Sequence, residues 1–162
     1  MKKIGKIALI VLAIIGGLFI LIMIIPTNDD TEIKNSTVKE ESVVETQPMS
    51  KEVFATVIEL SLAKAYGENN YYTEWNNNTY IINVWAKGIA EATVYAKLGN
   101  EEVLNTWTKF VDAACSMSTN IKETALTNGL NIDVQVNVLN DTNRDKVLLT
   151  VLNGEVLYDV VN

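Results

Sequence analysis

The stretch NIDVQVNVLNDTNRDKVLLTVLNGEVLYDVV, residues 131–161, decides the fold. Ile132, Val134, Val136 and Val138 alternate with Asp133, Gln135 and Asn137, the period of two expected of a half-buried strand. Lys146–Leu152 reads as a second strand. Asn153-Gly154 then sits between two apolar runs, a strong short hairpin signal, and Val156–Val160 forms the third strand. Three consecutive antiparallel strands are expected here.

Between the first two strands lie Asp141, Asn143 and Asp145, spaced as a calcium loop begins. Such a loop needs glycine at its sixth position and a bidentate acid at its twelfth. Counting from Asp141, those positions hold Lys146 and Leu152. Asn, Asp and Thr are also the residues of polar turns, because they bond their own backbone. The stretch is therefore read as the connection between two strands.

Upstream, the period changes. Asn100 is an N-cap candidate, with Glu101 and Glu102 suited to the positive end of a helix. Val103, Leu104, Trp107, Phe110, Val111, Ala114, Met117, Ile121 and Ala125 recur at three and four, predicting a long helix to about Asn128, closed by Gly129-Leu130. Cys115 lies beside that stripe as a small hydrophobe. A shorter helix is expected over Ala90–Leu98. Ser50 caps an earlier helix ending at Tyr66, whose apolar face is read as Val53, Phe54, Val57, Ile58, Leu62, Ala65 and Tyr66. Tyr71–Trp75 and Thr79–Ala86, joined by Asn76-Asn77-Asn78, read as a β-hairpin. Tyr80, Ile82, Val84 and Ala86 share one face, and Ile81, Asn83 and Trp85 the other. Residues 51–162 are thus predicted to be an α+β two-layer domain. Its antiparallel sheet of four or five strands carries a long helix packed on one face.

The N-terminus is of another kind. From Ile7 to Ile25 no residue is charged or strongly polar. At 1.5 Å per residue this run spans about 29 Å, the thickness of a bilayer core. Lys2, Lys3 and Lys6 precede it; Asp29, Asp30 and Glu32 follow. The lysines place residues 1–6 in the cytoplasm and the body outside. Residues 7–25 are therefore read as an uncleaved transmembrane signal-anchor, since no small-x-small cleavage site follows. Ala13 and Gly17 give the span a small-xxx-small face. Residues 26–50, rich in Thr, Ser, Glu and Asp, read as a flexible acidic stalk.

Composition excludes several chemistries. The chain of 162 residues contains no histidine, so Ser–His–Asp and Cys–His catalysis are ruled out. Cys115 is the only cysteine, which rules out an internal disulfide and a Cys-rich zinc site. No Gly-rich phosphate loop is present. The net charge is −7; without the three N-terminal lysines the body carries about −10. Such a body repels nucleic acid. No cofactor, catalytic residue or metal ligand is indicated.

The aromatic residues Tyr71, Tyr72, Trp75 and Trp85 form the candidate partner-binding surface, because aromatics exposed on a sheet stack sugars or anchor proteins. The expected function is a non-catalytic, membrane-anchored extracytoplasmic module that binds an envelope protein or glycan. Two other classes fit the composition: an envelope hydrolase built on carboxylates, which needs no histidine, and a small accessory subunit of a membrane complex.

NNNTYIINVWAKGI (76–89) and VNVLNDTNRDKVLLTVLNGEVLYD (136–159), with the high Asn, Ile and Lys content, resemble small uncharacterised signal-anchored proteins of Gram-positive bacteria and their phages or mobile elements. The resemblance implies an anchor, a polar stalk and a compact α+β domain, and no known activity.

Millimolar calcium is expected to leave the melting temperature of the protein unchanged. A rise of several degrees that Asp141→Ala removes would overturn the turn reading.

Overall fold

The computed structural model describes residues 49–162. The expected cytoplasmic tail, the span 7–25 and all of the stalk except Met49 and Ser50 lie outside the described residues. The described chain forms α1 (Lys51–Tyr66), β1 (Tyr71–Asn76), β2 (Thr79–Val84), α2 (Ile89–Lys97), α3 (Glu101–Thr127), β3 (Asp133–Leu139), β4 (Val147–Leu152) and β5 (Glu155–Asp159). This is an α+β domain with one five-stranded sheet in sequence order. Among the described residues no helix is long and apolar enough to cross a membrane.

Local chemistry sets the helix ends. The Ser50 hydroxyl accepts from the Val53 amide at 3.3 Å, opening α1. Met49 donates its amide to Asn128 O at 3.0 Å, which ties the start of that helix to the end of α3. The Asn100 side chain accepts from the Val103 amide at 3.1 Å and opens α3. At the other end Gly129 adopts φ 79°, and the amides of Gly129 and Leu130 donate to Leu126 O and Ala125 O. That paired closure satisfies carbonyls the helix would otherwise leave bare.

The three helices lie in one layer over one face of the sheet. Phe54, Ile58 and Leu62 of α1 meet Tyr80, Ile82 and Val84 of β2 in the same core that holds Trp107, Phe110, Met117 and Ile121 of α3. Polar bonds fix α3 on the sheet. Ser118 Oγ donates to Val134 O at 2.8 Å, and Trp107 Nε1 donates to Asp159 Oδ1 at 3.0 Å. Cys115 is half-buried against this core, and desolvation, then Asp112, raises its thiol pKa.

Two expectations are corrected. The sheet is mixed rather than antiparallel: β2 and β3 run parallel, from Thr79 beside Asp133 to Val84 beside Val138. The physical reason lies in the connection. A tight turn reverses direction, whereas a helical crossover returns the chain to the end of the sheet it left. Here α2 and α3 make that crossover, so β3 starts beside the start of β2. The other three pairings are antiparallel, as read. The second correction concerns α1. Its buried residues are Phe54, Ile58, Ser61 and Leu62, while Val53 and Val57 face outward and are 52% and 45% exposed. An apolar stripe twice as wide as one packing surface must leave half of itself outside.

The Asn153-Gly154 turn forms as read, with φ 52° and 88°. It also sits tightly against α3: a side chain at Gly154 would collide with Thr119.

Among the described residues no helix covers the opposite face of the sheet. A row of cross-strand neighbours runs over it: Tyr72, Asn83, Asn137, Thr150 and Tyr158, one from each strand. Its middle is polar and buried, with Asn83 2% and Asn137 9% exposed. Asn137 Nδ2 donates to Asn83 Oδ1 at 2.9 Å, and Asn137 Oδ1 accepts from Gln135 Nε2 at 2.9 Å and Thr150 Oγ1 at 3.1 Å. Asn83 Nδ2 donates in turn to Glu74 Oε1 at 3.3 Å.

Replacing Asn137 alone by Leu leaves the Asn83 carbonyl and the Gln135 and Thr150 donors without their partner. The expected loss of unfolding free energy is about 1–3 kcal/mol. Adding Asn83→Leu is expected to recover part of it, since an apolar pair needs no partners. Denaturant midpoints check this; a double variant no better than the single would contradict it.

Candidate functional site

The Asn76–Asn78 turn reverses the chain so that β1 pairs with β2 from Tyr71–Val84 to Asn76–Thr79. Strand alternation then sends neighbouring side chains to opposite faces. Tyr71 and Trp75 turn toward the helices and pack against the core. Tyr71 donates its hydroxyl to Glu59 O at 3.1 Å. Trp75 packs on Tyr80 with ring centres 4.8 Å apart, and the Lys51 ammonium lies 4.7 Å from its ring centre. Tyr72 and Trp85 turn to the open face, with their ring centres 6.2 Å apart. The four candidate residues are thus divided into two pairs on opposite sides of the sheet.

A third member joins Tyr72 and Trp85. The Arg144 guanidinium lies 4.2 Å from the Trp85 ring centre. A guanidinium over an indole is held by the ring's negative face and by stacking of two flat groups. Arg144 is the only arginine in the chain. Its rarity, in a polar turn, was the available signal.

Arg144 owes its position to the turn that carries it. Asn140 Oδ1 accepts from the amides of Thr142 and Asn143 at 2.8 Å and 3.1 Å. Asn143 Oδ1 accepts from the Asp145 amide at 3.2 Å. Asp141 points elsewhere: Oδ2 accepts from the Gly88 amide at 2.7 Å and Oδ1 from the Ala90 amide at 3.1 Å. Gly88 has no side chain to cap α2, so Asp141 supplies the anion from a distant turn. Both oxygens therefore face the start of that helix. Among the described residues, no three Cys, Asp or Glu side chains form a group that could hold a metal ion.

The open face therefore carries an aromatic–guanidinium cluster of Tyr72, Trp85 and Arg144 at one end of β2. Tyr72 and Tyr158 stand at the two edges of its central row, 45% and 47% exposed. Four inter-strand steps separate them, about 19 Å. The buried amides between them already have partners, so the groups free to meet a ligand are the rings and the guanidinium.

Asp141→Ala removes the cap of α2 and the tie on the Arg144 turn. It is expected to cost about 1 kcal/mol of stability and to change Trp85 fluorescence as the guanidinium leaves the ring. An unchanged midpoint in chemical denaturation would show that the cap contributes nothing.

Comparison with protein-family models, with curated proteins and with solved structures found no match for this chain.

Proposed function

We propose that this chain is a membrane-anchored binding module that meets a protein or glycan of the cell envelope through the open face of its sheet. In this reading residues 7–25 hold it in the bilayer, residues 1–6 stay in the cytoplasm, and residues 26–50 tether the domain outside. The reading treats the domain as a non-catalytic binder.

The observation that carries the proposal is the cluster of Tyr72, Trp85 and Arg144 on an uncovered sheet face. Large flat side chains lose little conformational entropy on binding, and they offer apolar area together with a polar tip. Rings left at a surface, next to a guanidinium, are the usual anchors of interfaces. The position of the cluster also supports it. The tether enters at Met49, beside Asn128, and Lys51 reaches Asn77 O at 3.0 Å. Trp85 follows the opposite end of β2, about 20 Å away along a strand of this length. A partner approaching Trp85 therefore does not compete with the tether for space.

Photo-crosslinking in intact cells tests the proposal. A photoreactive residue at position 72 or 158 is expected to give discrete adducts. The same residue at exposed Val94 on the helix layer serves as the control. Trp85→Ala is expected to lower the yield from position 72 severalfold without a matching fall in stability. Equal adduct patterns from both faces would refute a binding role for the open face.

A further inference from the structure

A second surface lies on the helix side of β1. A shallow groove of about 300 Å³ separates α1 from β1 and is lined by Thr56, Glu59, Leu60, Ala63, Glu68 and Tyr71. Two of its walls are carboxylates. Among the described residues the one ion pair is Lys122 with Asp133, so neither Glu59 nor Glu68 is paired with a cation there. Their fields converge on the Tyr71 hydroxyl, whose pKa is raised by desolvation first and then by Glu59 and Glu68.

Close to Glu59 and Tyr71, but not among the residues that line the groove, lies an unpartnered group. Tyr80 is fully buried, and its hydroxyl has no hydrogen-bond partner. Burial pushes that hydroxyl's pKa up to about 12; nearby Thr73 lowers it, while Glu59 and Tyr71 raise it further. Thr73 is close, yet its hydroxyl proton goes to Glu59 Oε1.

Apolar surface continues from the groove along α1. Val53, Val57 and Leu60 follow one another at spacings of four and three, and Leu60 is 68% exposed. Residues so spaced line one side of a helix. Leu60 belongs to both features: it ends the stripe and lines the groove.

We propose that the α1–β1 groove receives a basic, apolar peptide segment of a partner protein. Its apolar side chains lie along Val53, Val57 and Leu60, and a lysine or arginine enters between the stripe and the carboxylates of Glu59 and Glu68. Charge complementarity selects this occupant. An acidic segment would meet two like charges, and a purely apolar one would strip water from two carboxylates without replacing it. The surface differs from the open face, because Tyr71 serves the groove and Tyr72 the other side.

The test uses the full-length chain in phosphatidylcholine nanodiscs, with empty nanodiscs as the blank for peptide that enters the lipid itself. The probe is a fluorescein-labelled amphipathic peptide of leucine and lysine, with a leucine–glutamate peptide as its opposite. The lysine peptide is expected to bind and the glutamate peptide to fail. Glu59→Gln with Glu68→Gln is expected to weaken binding on the order of tenfold. Glu101→Gln with Glu123→Gln, the same charge change elsewhere, is expected to leave it unchanged. Hydrogen exchange is expected to slow in residues 56–71 when the peptide is bound. An equal loss from both double variants would reduce the effect to net charge and overturn the proposal. So would a rise in affinity when residues 26–48 are replaced by a glycine–serine tether, because the groove would then belong to the chain's own stalk.

Discussion

The parallel join of β2 to β3 at the centre of the sheet is the constraint on which the rest of the structure depends. Parallel neighbours cannot be linked by a tight turn. The chain must leave the sheet at Val84 and return at Asp133, and α2 and α3 fill that interval. A helix of 27 residues is about 40 Å long, twice the length of the strands beneath it. It therefore covers the β3–β5 half of the sheet while α1 covers the β1–β2 half, and the helix layer is complete on one side only. The open face follows from how the crossover is made.

That face is stabilised in a way that explains its polarity. The amide pair of Asn83 and Asn137 lies across the parallel join, and Thr150 and Glu74 extend it to the outer strands. An apolar pair there would contribute similar or greater stability, because polar groups gain little net free energy from exchanging water for protein partners. A shift of one residue between β2 and β3, however, would separate the amides and strand their donors and acceptors. The row therefore favours one register over its neighbours. The hairpin ends act in the same direction: Asn78 Nδ2 donates to Asn131 O at 2.6 Å, and Asn153 Oδ1 accepts from the Val134 amide at 3.0 Å. The Lys122–Asp133 ion pair, 37% and 49% exposed at its side chains, adds little beside these.

Much of this was legible in the sequence, for local reasons. Residues 132–138 alternate at period two, Asn153-Gly154 separates two apolar runs, and 101–127 repeat at three and four, so each element is written in its own neighbours. The direction of β3 was not. A parallel strand buried on both faces reads as a continuous apolar run. Because one face here is open, Val134, Val136 and Val138 alternate with polar residues just as an antiparallel strand would. The outward turn of Val53 and Val57 was hidden for a similar reason: a helix apolar on two sides does not say which side meets the sheet. Within the candidate site, strand parity could separate Tyr72 and Trp85 from Tyr71 and Trp75, but it could not say which set meets the helices. Arg144 over Trp85, and Asp141 on the amides of α2, join residues more than 50 positions apart. Only the folded chain brings those together.

The two consecutive tyrosines carry the last step. Tyr71 and Tyr72 are adjacent in sequence, yet strand alternation places one against an acidic groove and the other beside a guanidinium. The two surfaces of this edge hairpin thus differ in chemistry: Glu59 and Glu68 flank Tyr71, whereas Tyr72 shares its face with Trp85, Arg144 and Glu74. Both lie at the β1 side of the sheet, where the strand has a free edge and only α1 beside it. The far edge, β5, is exposed from Glu155 to Tyr158 and carries Val156, Leu157 and Tyr158 between Glu155 and the half-buried Asp159. Charged ends and an irregular register between Thr150 and Val151 discourage a second sheet from adding there. The β1–β2 pairing runs without such an irregularity, so the two edges of the sheet are guarded differently.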